Sequence, residues 1–177
     1  NSASATATGY TQWTTAGSGG TTSAGTTPIT QTFPIASTGE TVTVTLAMTA
    51  AAQAAGGTGL TFTYYATGST TDGQKLVSDG ISVDPRLGNA GGEIQMTITG
   101  LAAGEHSLLT FHNVGDSATD PALGSLARIK VFLNGDFSTA FTPSIRSTDI
   151  ATPTAYLIFT TASASDVTTI LFAADTT

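Results

Sequence analysis

Ile98-Thr-Gly-Leu-Ala-Ala-Gly-Glu-His-Ser-Leu-Leu-Thr-Phe-His-Asn113 is the stretch that decides the fold. A strand ends in it, a glycine-rich turn reverses the chain, and a second strand carries both histidines of the protein. Strand side chains alternate with period two, so Leu109 and Phe111 share one face while His106, Leu108, Thr110 and His112 share the other. One face suits a core and the other an accessible surface. Six residues of strand separate the histidines, and at roughly 3.3 Å each they hold the imidazoles about 20 Å apart. That distance disfavours a two-histidine metal centre.

The 177 residues suffice for one domain with a full core and are few for two. The expected organisation is a single β-sandwich domain over 1–177, with residues 1–28 as an extended N-terminal segment packed on it. Hydrophobic residues make up 40% of the chain and charged residues only 10%. Solubility must therefore rest on Thr, Ser, Asn, Gln and backbone groups, an extracellular style of surface. The five basic residues against twelve acids give a formal charge of -7, which speaks against nucleic acid and anionic membrane as partners, since both need clustered Lys and Arg. There is no cysteine, hence no disulfide, thiol nucleophile or thiolate metal site. The first residue is Asn1, no basic-then-apolar leader is present, and no apolar run approaches a bilayer's thickness. A processed, secreted product or an excised piece is expected.

Alternation of apolar and polar residues extends the strand pattern outward. Thr41 to Met48 places Val42, Val44, Leu46 and Met48 on one face. Further strands are predicted at Ile29–Phe33, Leu60–Ala66, Ile81–Val83, Glu93–Thr99, 127–133, 136–141, Ala155–Thr160 and Thr168–Ala173. Asn134-Gly135 between two apolar runs marks a tight hairpin, because both residues tolerate positive φ. Ala50 to Ala55 reads as a loop or one turn of helix. Nine to eleven short strands without a long amphipathic helix describe an all-β fold, an antiparallel sandwich or jelly roll.

Hydrolase, phosphate-loop and dinucleotide motifs are absent. Asp79 with Asp84, or Asp116 with Asp120, could form the carboxyl pair a glycosidase needs, but turn formation explains the same residues. Sugar rings stack on aromatic side chains while planar polar groups take the hydroxyls. Trp13, Tyr64, Tyr65, His112 and Asn113 lie next to turns, where such sites are built, and Trp13 is read chiefly as a core piece. Arg128, on a strand face with Lys130 and Phe132, could fork onto a uronate carboxylate. Asp72, Asp79, Asp116 and Asp120 sit in loops with the oxygen ligands that Ca²⁺ prefers; Asp116 and Asp120 are taken as the candidate ligands of a structural calcium ion.

Several phrases together resemble a jelly-roll carbohydrate-binding module, of galactose-binding or malectin-like type, that accompanies secreted polysaccharide lyases and glycoside hydrolases. They are Gly9-Tyr-Thr-Gln-Trp13, Leu76-Val-Ser-Asp-Gly-Ile-Ser-Val-Asp84, the opening stretch from Ile98 to Asn113, Ala127-Arg-Ile-Lys-Val-Phe-Leu-Asn-Gly135 and Thr169-Ile-Leu-Phe-Ala-Ala-Asp175. The resemblance implies a non-catalytic module that binds polysaccharide or oligosaccharide and holds a tethered catalytic domain near its substrate. It points to the Tyr64–Tyr65 end, Asp79 and the His112–Asn113 corner as ligand contacts. Two other readings stay open. One is a small lyase or glycosidase with His112 as base and Asp116 or Arg128 nearby; the other is a structural or adhesin domain without sugar affinity.

Overall fold

The structure is a computed structural model and describes residues 8–11, 13, 20–35, 37–64, 72, 79–84, 92–112, 128–141 and 154–174. The chain is an all-β antiparallel sandwich. In order its elements are β1 (Gly20–Gly25), β2 (Ile29–Pro34), β3 (Thr41–Met48), α1 (Ala50–Ala54), β4 (Gly59–Tyr64), β5 (Asp79–Asp84), β6 (Glu93–Thr99), β7 (Gly104–Phe111), β8 (Ile129–Leu133), β9 (Asp136–Phe141), β10 (Thr154–Thr161) and β11 (Thr168–Ala174).

A six-stranded sheet, ordered β2-β3-β6-β11-β8-β9, forms one layer. Its alternating pattern buries Leu46, Ile98, Val131 and Ile170 on one face. Against that face lies the pair β10-β7, whose Ala155 and Leu157 join Ile98, Val131 and Ile170 in a single apolar cluster. Burying a side chain of this size is worth about 1.5–3 kcal/mol, so this contact is the main source of cohesion. A third sheet, β1-β4-β5, has Leu60 and Thr61 fully buried on β4. The sequence alone suggested no strand at β1, because its Gly-Thr-Thr-Ser-Ala-Gly run carries no apolar alternation; pairing with β4 supplies what periodicity does not.

The predicted elements agree with the observed ones to within a few residues. Asn134 and Gly135 have φ of 50° and 90°, as the tight β8–β9 hairpin requires. Asn134 also accepts a hydrogen bond from the Thr169 amide, 2.8 Å, which ties the hairpin to β11. The register of β8 against β9 shifts between Val131 and Phe132, a bulge near the sheet's edge. In α1, the Thr49 hydroxyl accepts from the Ala52 amide at 3.1 Å and donates to Glu93 at 2.5 Å. One side chain thereby caps the helix and fastens it to β6.

The turn after Thr99 does more than reverse the chain. Its flanking strands, β6 and β7, belong to different sheets, so it carries the chain across the sandwich. Gly100 makes the crossing at φ +85°, and a Cβ there would meet the Thr41 carbonyl oxygen. Gly100→Ala combines left-handed strain with backbone overlap, and should lower unfolding free energy by more than about 2 kcal/mol. Urea unfolding of the purified variant measures this; a loss within error of zero would show that the crossing tolerates a side chain.

Candidate functional site

The strand pair β7-β10 divides its residues cleanly between a core face and a solvent face. β10 alternates strictly, with Ala155, Leu157, Phe159 and Thr161 buried and Thr154, Tyr156, Ile158 and Thr160 exposed. Register pairs Leu157 with Leu108, and Tyr156 with Leu109. Leu108 therefore faces the core with the histidines, while Leu109 turns outward. Both strands carry apolar residues on both faces, so alternation within β7 alone does not say which side is buried.

The histidines accordingly serve the interior. The His106 ring lies 5.7 Å from that of Phe159, and its Nε2 is 2.8 Å from the Ala102 carbonyl oxygen. A carbonyl can only accept, so Nε2 carries the proton. The buried Thr161 hydroxyl donates to the same oxygen at 2.5 Å, closing the end of the β6–β7 crossing. His112 lies 4.4 Å from the Phe141 ring and 5.3 Å from Phe172, with Nε2 2.7 Å from the Thr110 hydroxyl. Burial holds its pKa down to about 4 from 6.5, because the cationic form loses hydration there. His112 is thus a neutral, half-buried wedge between two phenyl rings rather than a freely presented imidazole.

Other sequence candidates are placed as follows. Tyr64 ends β4 directly opposite Asp79, the first residue of β5, so the backbone brings these two to one corner. Arg128 is exposed immediately before β8. Trp13 packs edge-on against Phe33 of β2, 5.7 Å between centroids, in keeping with a core role. Tyr65 and Asn113, and the calcium candidates Asp116 and Asp120, lie outside the described residues. Among the described residues no cluster of three or more potential metal ligands occurs. The β10–β11 turn is held by Asp166, whose carboxylate accepts from the Ala162 amide at 2.6 Å and the Ser163 hydroxyl at 2.9 Å. These bonds, the Ala162 one foremost, pull its pKa below the usual carboxylate range.

The feature that motif reading missed is the outer face of β7-β10. Tyr156 is 61% exposed, Ile158 54% and Leu109 49%. Tyr156 and Leu109 stand directly opposite each other across the ladder, and Ile158 follows on the same face opposite Ser107. Side chains in such positions are about 5 Å apart across strands and about 7 Å apart along one. The result is a shallow apolar strip with a phenol in it, rimmed by the exposed hydroxyl residues Thr154, Ser107 and Thr160. The signal was in the sequence as Ala155-Tyr-Leu-Ile-Phe159, a run apolar at every position, more than a one-sided strand needs.

The chain matches no protein family, and no curated protein or solved structure is similar to it.

His112 makes stability depend on pH. Its folded pKa lies below the unfolded value, so between about pH 6.5 and pH 4 the unfolded chain binds a proton that the folded one refuses. Stability is fully present above pH 6.5 and falls by up to about 3 kcal/mol as pH drops to 4. His112→Phe should remove this portion, so that the difference in unfolding free energy between variant and native protein grows in favour of the variant across that interval. Parallel pH dependences would place the proton elsewhere.

Proposed function

We propose that this protein is a non-catalytic carbohydrate-binding module, and that the outer face of β7-β10 is its glycan platform. The observation that carries this reading is Tyr156, which projects with Leu109 and Ile158 from an open sheet face where folding gains nothing from their exposure. Exposed apolar strips of this kind mark interaction surfaces. A pyranose presents a C–H face and a rim of hydroxyls; the strip presents a ring, two aliphatic side chains and a rim of Ser and Thr. The exposed Glu105, which stands opposite Thr160 on this face, and the net charge of -7 favour a neutral chain over a polyanion.

Both histidines are turned to the core side of the strand and only partly exposed, which supports binding over hydrolysis or elimination, since a general base must reach substrate. A purely structural domain would have no use for an exposed Tyr-Leu-Ile strip. Used as a tethered module in a secreted enzyme, the domain would act through effective concentration, on the order of millimolar for a short linker. Rigid strands would hold the platform ready, with little ordering cost on binding.

Removal of the stacking ring tests the reading. Tyr156→Ala should weaken retention in gels of xylan, galactomannan or mixed-linkage β-glucan about tenfold, the equivalent of roughly 1.4 kcal/mol. Because the side chain is largely exposed, its melting temperature should stay within a few degrees of the native value. Equal retention of variant and native protein in every gel that slows the native one would move the site away from β10; no retention of the native protein in any would remove the reading.

A further inference from the structure

The opposite outer face of the sandwich, that of the six-stranded sheet, carries a different surface. Register aligns Thr30 of β2, Thr45 of β3, Thr97 of β6 and Thr169 of β11 in one row across four strands. A second row, Thr32, Thr43 and Thr99, runs beside it. Cross-strand hydroxyl contacts join Thr30 to Thr45 at 2.8 Å and Thr32 to Thr43 at 3.2 Å. Rows repeat at the strand spacing of about 4.8 Å and lie about 7 Å apart. Threonine is stiff at χ1, so the array is ordered before anything binds. A hydroxyl committed to one neighbour keeps further hydrogen-bonding capacity.

On the other side of the first row, the next register positions are Gln95, Leu171, Phe132 and Phe137. Phe132 and Phe137 meet edge to face, 5.6 Å between centroids, and Phe137 is 58% exposed on the edge strand β9. None of these three rows contains a charged residue. The adjoining row holds Lys130 in register with Ala173 and Glu93, so a polyanion, an acidic peptide or a nucleic acid would meet one lysine with an acid in the same row and no run of cations. A neutral glycan finds what it needs, an aromatic ring to stack on and a parallel line of fixed hydroxyls to meet its own.

We propose that this face is a second glycan-binding surface, on which a neutral polysaccharide chain lies across the strands with a sugar on Phe137 and its hydroxyls on the threonine rows, so that one domain bridges two chains. The proposal rests on the carbohydrate reading above and adds a second, opposed surface. The two outer faces are separated by the packed layers, so a single sugar cannot touch both.

A two-step capture assay separates the surfaces. Beads coated with galactomannan are loaded with the full chain, washed, and offered fluorescein-labelled soluble galactomannan; xylan and mixed-linkage β-glucan are run in the same way. The native protein should load and then capture the labelled chain. Phe137→Ala and the double variant Thr45→Val, Thr97→Val should load within twofold of native while capturing at least fivefold less. The valine pair keeps shape and strand propensity, so it remains informative should Phe137→Ala fail to fold. Loading without capture by the native protein, or undiminished capture by both variants, overturns the second surface and leaves the first. Light scattering that finds a dimer, with capture lost on dilution, also overturns it by making bridging a property of two copies. Failure of the native protein to load any bead removes the carbohydrate reading and this proposal together.

Discussion

One contact governs the molecule: the inner residues of β10, above all Ala155 and Leu157, set against Ile98, Val131 and Ile170 of the larger sheet. Once Leu157 is inside, strict alternation sends Tyr156 and Ile158 out, and antiparallel register then forces Leu108 inward and Leu109 outward on β7. A slip of one residue would exchange the two faces completely. The core therefore chooses which apolar side chains are left over, and the leftover set forms the candidate platform.

The same packing explains why the histidines are poor reagents and good structural parts. His112 sits on the core side of β7 against Phe141 and Phe172, where a neutral ring fits and a charged one does not. His106 holds the Ala102 carbonyl together with Thr161, satisfying a backbone oxygen at the point where the chain changes sheets. A buried acceptor left without a donor costs about 1–3 kcal/mol, so the pair secures the crossing in polar terms as Gly100 secures it in steric ones.

Most of the fold was legible from residue order. The alternation of Thr41 to Met48 and of Glu93 to Thr99 gave both strands with their observed ends, and Asn134-Gly135 gave the hairpin, because these signals are local. What was not legible is relational. β1 has no periodic pattern and exists by pairing with β4. The faces of β7 depended on β10, some forty residues further along the chain. Of the sequence candidates, Tyr64 and Asp79 are register partners across β4 and β5; the platform itself was not legible, because the exposure of Tyr156 follows from tertiary packing and carries no motif. Threonine rows are equally invisible along the chain, since each strand contributes only one or two members.

The bulge between Val131 and Phe132 has a consequence for life at high local density. It bends the border of the large sheet at β8 and β9, and a bent border offers an incoming strand only a short run of matching amide and carbonyl groups. Copies at high concentration can then lie edge to edge without zipping into amyloid, even though each is rich in the β-branched residues from which such fibrils grow.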